Sequence, residues 1–326
     1  MNGNIIKNRV IGVDISLERT SYAIVDVRGN IIARDCFNTQ LYDNANDYIR
    51  ELSVKVVELA EANGGFENIR SMGISAPSGN SLTGCIENAP NLKWKGVIPM
   101  AAMLRDRLGI AVGLGNDAQL SGLGEHAFGS AHGMNNFILV TLGHGIGSCI
   151  FCNGEVHHGA DGFAGEVGHT CIVYGGRTCA CGKKGCLEAY CGAKGIIATA
   201  NELMAESDEP SLMRTIDRLT PKKITECCDQ GDHLAVEVYQ RTGQMLGVAM
   251  AGYATLLDPE AIVFAGGVSK ADHWLLEPAY EQFNKLVFHN IRGHVKFLVS
   301  ALEDHERDVL GASALAWGIK EYSLFK

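Results

Sequence analysis

The stretch GHTCIVYGGRTCACGKKGCLEAYC, residues 168–191, holds five of the chain's eleven cysteines and a histidine near its beginning. Within it His169, Cys179, Cys181 and Cys186 follow the spacing H-x9-C-x-C-x4-C. Three thiolates and one imidazole form a ligand set for a closed tetrahedral zinc site, and the intervening glycines allow the tight turns that convergence needs. Four protein ligands leave no position for water, so the sequence predicts a structural zinc ion.

Other interpretations of the same stretch remain open. The spacing is not that of the common C-x2-C finger, and Cys171 or Cys191 could replace one of the three thiolates. The alternative is a set of separate free or buried thiols. Disulfides are not expected, because an odd number of cysteines without a secretion signal indicates a reducing compartment. We therefore expect a cytoplasmic protein.

Two carboxylates, Glu166 and Glu188, flank the cysteine-rich loop in sequence. Each carboxylate can accept hydrogen bonds from two hydroxyl groups, which is what a polyhydroxylated ligand offers. Both could equally be solvated surface residues. Their attachment to a loop that metal would stiffen favours binding of a sugar-like small molecule.

The composition restricts the remaining classes of function. A chain of 326 residues favours two domains. Lys and Arg number 28 against 37 Asp and Glu, a net charge of −9 that should repel a polyanion, so we expect no nucleic-acid partner. Only eight residues precede the first apolar run, which leaves no room for a signal peptide or a DNA-reading helix pair. No apolar stretch reaches the ~18 residues of a membrane span, so no membrane association is expected.

The pattern of apolar residues predicts a mixed α/β chain. A group of strands followed by a helix occurs near Arg9 and again near Asn136, which suggests two similar lobes with a ligand cleft between them. The predicted strands include residues 9–15, 20–27 and 31–38, and the predicted helices include residues 43–62, 98–109, 232–257, 272–287 and 308–322.

Several motifs together resemble the ROK family, the repressor and sugar-kinase group of the actin/hexokinase superfamily. The stretch LVTLGHGIGSCIFCNGEVHHGADGFAGEVGH (139–169) followed by CACGKKGCLEAYC (179–191) is similar to its signature. APNLKWKG (89–96), NDAQLSGLGE (116–125) and FAGGVS (264–269) match its other motifs in order. The resemblance covers essentially the whole chain and is closest to bacterial glucokinases and related hexose or N-acetylhexosamine kinases.

The resemblance implies an α/β, two-lobed actin-like ATPase (ribonuclease H-like) fold with an interlobe cleft, and a homodimer. It places residues 1–117 and a C-terminal helix at about 308–326 in a small lobe, and residues 118–307 with the zinc loop in a larger one. The implied activity is phosphorylation of a hexose by Mg-ATP, with Asp117 as general base. The implied sugar ligands are Ser78, Gly79, Asn80, Asn91, Asn116, Glu166, His169 and Glu188, and the implied nucleotide ligands are Asp14, Gly143, His144, Gly145, Gly266 and Gly267.

The chemistry of these residues supports the assignment independently. An aspartate just after a strand can take the proton of an attacking hydroxyl as phosphorus accepts the oxygen. A glycine-rich turn such as LGHGIG (142–147) allows backbone N–H groups to approach phosphate oxygens. Alone, each signal is weak: an Asn-Asp pair is more often a helix cap than a base.

The sequence departs from the family at the nucleotide side. Sugar kinases of this family usually place two glycines and a threonine closely after the first aspartate, where this chain has Ser16, Leu17 and Glu18. A leucine would crowd that turn, and Glu18 would repel a triphosphate, although Arg19 could offset its charge. His144 replaces a usual threonine, and Pro77-Ser78 replaces Pro-Gly. These departures leave two hypotheses. The one that we favour is a sugar kinase with an altered ATP-binding site, and the other is a non-catalytic sugar sensor with a degenerate nucleotide site.

Overall fold

A computed structural model describes residues 7–90 and 92–319, which form two compact units. The first unit comprises the described chain up to Gly133, the segment His158–Ala164 and the described chain from Ala301 onward. The second comprises Met134–His157 and Gly165–Ser300. The sequence placed the boundary after Asp117, but the helix that begins there packs on the last described helix and so remains in the first unit.

The first unit is built on a five-stranded sheet of order β3-β2-β1-β4-β8. β1, β2 and β3 are antiparallel, and β1, β4 and β8 are parallel. A small sheet, β5-β6-β7, accompanies it. The elements are β1 (Arg9–Ile15), β2 (Arg19–Asp26), β3 (Ile31–Asn38), α1 (Ala45–Ala62), β4 (Ile69–Ala76), β5 (Gly79–Asn80), β6 (Cys85–Glu87), β7 (Val97–Ile98), α2 (Met100–Leu108), β8 (Ala111–Asn116) and α3 (Asp117–Phe128), with α9 (Asp304–Gly318) returning from the end of the chain.

A row of glycines brings α9 against the first sheet. Gly12, Gly73 and Gly113 are paired neighbours on β1, β4 and β8. A Cβ atom on Gly12 would lie 2.3 Å from the carbonyl oxygen of Val309, and one on Gly73 would lie 1.9 Å from that of Ala312. Since backbone oxygens of a packed helix cannot move aside easily, these positions require glycine. The close approach places the first turn of α9 near the carboxyl ends of the strands.

The second unit repeats the strand arrangement. Its sheet has the order β11-β10-β9-β12-β13, with an antiparallel triplet followed by parallel strands as in the first sheet. The repeat suggested by the sequence is therefore present as two sheets of matching topology. The elements are β9 (Phe137–Leu142), β10 (Ile146–Cys152), β11 (Glu155–Val156), α4 (Glu188–Cys191), α5 (Ala193–Glu206), α6 (Pro221–Asp229), α7 (His233–Leu257), β12 (Ala261–Ala265), α8 (His273–Leu286) and β13 (Lys296–Val299).

Each unit has its own apolar core. In the first, α1 packs on the sheet through residues such as Tyr48, Leu52 and Val56, all fully buried. In the second, α7 and α8 pack against the strands through residues such as Leu246 and Phe283. Within the described ranges, no helix combines the length and the apolar character needed to cross a membrane.

Candidate functional site

In the first unit, Asp14 lies at the centre of a group of acidic side chains. It stands near the end of β1, where Ser75 of β4 donates a hydrogen bond to its Oδ1 at 3.1 Å. Burial, followed by the charges of Asp308 and Asp117, raises the pKa of Asp14 to about 8, although the Ser75 hydrogen bond and the charge of Arg19 oppose the shift. A carboxyl group with a raised pKa among like charges keeps its proton to a higher pH than usual, and a bound cation would compete with that proton.

Asp308 is a residue that the sequence did not single out for the site. It lies in the first turns of α9, and its Oδ1 accepts a hydrogen bond from Ser121 at 2.7 Å. Ser121 lies on α3 one turn after Asp117. No motif marks Asp308 in the sequence, because its place beside Asp14 depends on the glycine-mediated packing of α9.

Asn116 and Asp117 occupy the junction of β8 and α3, as the sequence predicts. Asn116 is the N-cap of α3, and its Oδ1 accepts from the backbone N–H groups of Ala118 and Gln119 at 3.0 and 3.3 Å. Asp117 is the first residue of the helix, and its Oδ1 accepts from Ala118 at 2.8 Å. The cap and the candidate base are thus adjacent residues with separate roles. The helix fixes the position of the Asp117 carboxylate.

The loop after β4 approaches the same strand end. Ser78 has φ +54°, in the left-handed region where glycine is favoured. A Cβ atom on Gly79 would lie 2.4 Å from the carbonyl oxygen of Gly115, so this approach requires glycine. Asn80 is buried and donates from Nδ2 to the carbonyl oxygen of Asp161 at 3.0 Å. Asn91 lies outside the described residues.

Gln119 is a second residue that the sequence did not single out. It is buried, and its Nε2 donates to the carbonyl oxygen of Gly162 at 3.2 Å while its Oε1 lies 3.3 Å from His158 Nδ1. Together with Asn80, it attaches the segment His158–Ala164 to the first unit. Its position, two residues after Asp117, is the one signal in the sequence that could have pointed to it.

The turn between β1 and β2, which contains Ser16, Leu17 and Glu18 in place of the family's usual residues, is closed by hydrogen bonds. The Ser16 N–H and hydroxyl both donate to the carbonyl oxygen of Arg19, at 3.0 and 2.7 Å, and close the turn between β1 and β2. Leu17 is 45% exposed and Glu18 is exposed. The expected crowding by Leu17 is therefore absent from the interior of the turn, because the side chain points outward. Leu17 instead lines a cavity of about 160 Å³ together with Tyr42, Lys93 and Trp94.

In the second unit, the four predicted metal ligands converge. The ligand atoms of His169, Cys179, Cys181 and Cys186 all lie within 4.8 Å of one another. The Sγ atoms of Cys181 and Cys186 are 3.7 Å apart, and His169 Nδ1 lies 3.7 Å from Cys179 Sγ. A tetrahedron with Zn–S bonds of about 2.3 Å has edges of roughly 3.8 Å, so the cluster fits a zinc ion.

The alternative thiols do not belong to this cluster. Cys191 is fully buried, its Sγ donates to the carbonyl oxygen of Thr242 at 3.5 Å, and burial raises the pKa of its thiol. Cys171 is exposed and pairs by its backbone with Cys186. The turn between Cys179 and Cys186 is closed by a hydrogen bond from Cys179 N to Lys183 O at 2.8 Å, with φ +86° at Gly182.

The carboxylates that flank the cluster differ in their surroundings. Glu166 is exposed at the start of the short 3₁₀ turn Val167–His169. Glu188 is half-buried at the start of α4, and its Oε2 accepts from the backbone N–H of Ile146 at 2.9 Å. Of the two flanking carboxylates, Glu188 is therefore also bonded to the glycine turn that follows β9.

The glycine residues predicted to approach the nucleotide lie in two neighbouring turns. The first turn contains Gly143, the exposed His144 and Gly145. The second contains Gly266, with φ +91°, and the exposed Gly267. A Cβ atom on Gly266 would lie 2.5 Å from the carbonyl oxygen of Leu142, and Val268 N donates to that oxygen at 3.0 Å. The second unit thus contains two glycine turns beside one another.

Comparison with known proteins shows which family and fold this chain resembles. Residues 10–319 match the sequence profile of the ROK family. The chain is 36% identical to a glucokinase of Halalkalibacterium halodurans over 255 residues, which are 77% of this chain and 76% of that protein. It is 26% identical to a xylose repressor of Caldicellulosiruptor bescii over 94% of this chain and 77% of the repressor. The structure of a ROK family glucokinase from Streptomyces griseus, in complex with glucose and AMPPNP, superposes with a TM-score of 0.74 at 28% identity, covering 95% of this chain and 99% of that one.

Proposed function

The chain belongs to the ROK family, with the actin-like fold of its kinases, and we propose that it transfers a phosphoryl group from Mg-ATP to the exocyclic hydroxyl of a hexose or N-acetylhexosamine. The observation that carries the proposal is the pairing of Asp117 with Asp14 in the first unit. Asp117 is held at the start of a helix, and its charge acts on Asp14. A base and a cation-binding carboxylate are the two groups that transfer to a hydroxyl requires.

Each unit supplies part of this chemistry. In the first, Asp117 accepts the proton of the sugar hydroxyl as that oxygen attacks the γ-phosphorus of ATP and ADP leaves, and Asp14 would hold the Mg²⁺ that accompanies the phosphates. In the second, His169 and Glu188 bind sugar hydroxyls, and backbone N–H groups of residues 143–147 approach the phosphates. His169, Cys179, Cys181 and Cys186 would hold zinc, which supplies rigidity to this loop without reacting.

A coupled assay of ADP release over a panel of hexoses and N-acetylhexosamines tests the proposal. The matched variant is Asp117→Asn, which retains the oxygen that accepts from Ala118 but cannot take a proton. We expect turnover of at least one sugar by the wild type and a loss of about 10²–10⁴-fold in the variant. Sugar affinity measured by calorimetry should change little.

A surface substitution provides the control. Asp106→Asn removes a charge of an exposed ion pair with Arg105 in the same unit and should leave turnover unchanged. The proposal fails if the wild type shows no turnover above Asp117→Asn on any sugar.

A second candidate function is a sugar sensor that does not transfer phosphate. Two observations favour it: Ser16, Leu17 and Glu18 occupy the first phosphate turn, and a xylose repressor matches 94% of the chain. Tight sugar binding together with no measurable binding of Mg-AMPPNP by calorimetry would select this function, whereas micromolar affinity for the nucleotide would select the kinase.

A further inference from the structure

Glu188 contacts both the metal cluster and the glycine turn of the second unit. Its Oε2 accepts a hydrogen bond from Ile146 N at 2.9 Å, at the end of the turn. Its Oε1 lies 3.7 Å from Sγ of Cys179, one of the four candidate metal ligands. One carboxylate group therefore joins two sites that are separate in the sequence.

The backbone on either side makes this connection short. Glu188 follows the candidate ligand Cys186 by two residues, and the intervening Leu187 is fully buried and donates from its N–H to the carbonyl oxygen of Thr170 at 3.0 Å. Because a close-packed interior deforms little, a displacement of Cys186 would move Glu188 by a similar amount.

The glycine turn is shaped around the same carboxylate. A Cβ atom on Gly145 would lie 2.5 Å from Glu188 Oε2, so the carboxylate occupies the space that a side chain would need. The residues after α4 hold the other end of the turn, since Ala193 N donates to the carbonyl oxygen of Gly143 at 2.9 Å. Gly143 N in turn donates to Gly145 O at 3.0 Å. Contacts from Glu188 and Ala193 thus fix both ends of the turn.

We propose that Glu188 is a positioning residue that couples metal occupancy of the Cys/His cluster to the conformation of the turn Gly143–Ile146. When the ligands converge on a metal, Cys186 and the packed Leu187 hold the Glu188 carboxylate in reach of Ile146, and the turn presents its N–H groups to a phosphate-bearing ligand. When the metal leaves, the cysteine turn relaxes and the bond to Ile146 weakens. The effect on nucleotide affinity rests on the proposed function, whereas the link itself does not.

This role differs from the binding of a sugar by Glu188. A carboxylate that acted only on a sugar would leave the turn unchanged when it was replaced. In the ligand-free protein Oε2 is already bonded to Ile146 N, so the bond to the turn does not depend on a sugar. A measurement on the turn in the absence of sugar therefore separates them.

Hydrogen exchange at the amide of Ile146 tests the link in the full chain. We expect Glu188→Ala to speed exchange of the zinc-loaded protein about tenfold, and Glu188→Gln, which keeps an acceptor oxygen, to restore most of the protection. Chelation of zinc from the wild type should speed exchange at the same amide. As control, Glu202→Gln removes a charge from the ion pair with Arg177 in this unit and should leave the exchange unchanged.

The outcomes are decisive in either direction. Equal exchange rates in the wild type and Glu188→Ala, or no effect of chelation on the wild type, would overturn the proposal. If the alanine variant does not fold, the effect of zinc chelation on the wild type decides the proposal. Calorimetry with Mg-AMPPNP, without sugar, should show about tenfold weaker binding for Glu188→Ala. If the wild type binds no nucleotide, the kinase function fails while the exchange data still decide the link.

Discussion

Binding of a Mg-nucleotide should release a proton from Asp14. Burial and the charges of Asp308 and Asp117 raise the pKa of this carboxyl to about 8. At pH 7 the group then carries its proton in about nine of ten molecules, and at pH 9 in about one of ten. Because a cation binds the ionised carboxylate, the ligand must displace the proton that Asp14 holds.

Calorimetry in two buffers with different ionisation enthalpies counts the protons released when Mg-AMPPNP binds. We expect the wild type to release about 0.9 proton more than Asp14→Asn at pH 7 and about 0.1 more at pH 9. Asp308→Asn should reduce the release at pH 7, because it removes the neighbouring charge that most raises the pKa of Asp14.

The substitution at Asp308 preserves the local hydrogen bond, since an asparagine oxygen can still accept from Ser121. Asp304→Asn is the matched control: it removes a charge from the same helix, and the Asp304 charge is not among the influences on the pKa of Asp14. It should release as many protons as the wild type. Equal release by the wild type and Asp14→Asn at pH 7 would refute the assignment of a raised pKa to this carboxyl.

Three further predictions concern stability and metal content. Gly73→Ala should lower the free energy of unfolding by about 1–3 kcal/mol, and with it the melting temperature, because the added Cβ would lie 1.9 Å from the Ala312 oxygen. Gly252→Ala, where the added Cβ would have no atom within 4 Å, should be neutral or slightly stabilising. Differential scanning fluorimetry compares the two variants. Cys181→Ser should lower the zinc content, measured by elemental analysis, from about one ion per chain, and should weaken sugar binding, measured by calorimetry. Cys36→Ser, at an exposed cysteine outside the cluster, should change neither. The ligand-free protein should lose stability as the pH rises from about 4 to about 8, because over this range the unfolded chain gives up the Asp14 proton that the folded protein still holds. Asp14→Asn should flatten that dependence in thermal melts.

Local signals in the sequence predicted much of the fold. β1 and β3 have the predicted bounds, because apolar runs rich in β-branched residues end there at turn residues. α2 ends at Leu108, and its C-cap Gly109 adopts the left-handed conformation, with φ +67°, that favours glycine. The repeated order of strands was visible as a repeated pattern, and the two sheets share one topology.

The positions where the sequence was insufficient depend on distant packing. The last helix begins at Asp304 rather than Asp308, and its predicted end at residue 322 lies outside the described residues. The contact between Asp308 and the acidic centre requires the glycine row beneath α9, which no local pattern reveals. The attachment of His158–Ala164 to the first unit by Gln119 is likewise a tertiary contact.

In the candidate site too, some features could be predicted from the local sequence and others depend on tertiary contacts. The metal ligands could be named from their spacing, and the structure brings their atoms within 4.8 Å. Glu188 was assigned to a sugar through the family resemblance, but its bond to Ile146 depends on how α4 lies against the turn. The sequence therefore allowed candidate residues to be proposed, but it gave no information on the contacts among them.

The unusual residues in the turn between β1 and β2 change the side chains of that turn more than the path of its backbone. Ser16 closes the turn through two hydrogen bonds to Arg19, so the chain reverses there without the usual glycines. Leu17 and Glu18 point outward, which leaves the interior of the turn unobstructed. The charge of Arg19 lowers the pKa of Asp14, in opposition to Asp308 and Asp117. Because the turn still closes and the Asp14 carboxylate is present, we expect these residues to weaken nucleotide binding rather than to abolish phosphoryl transfer.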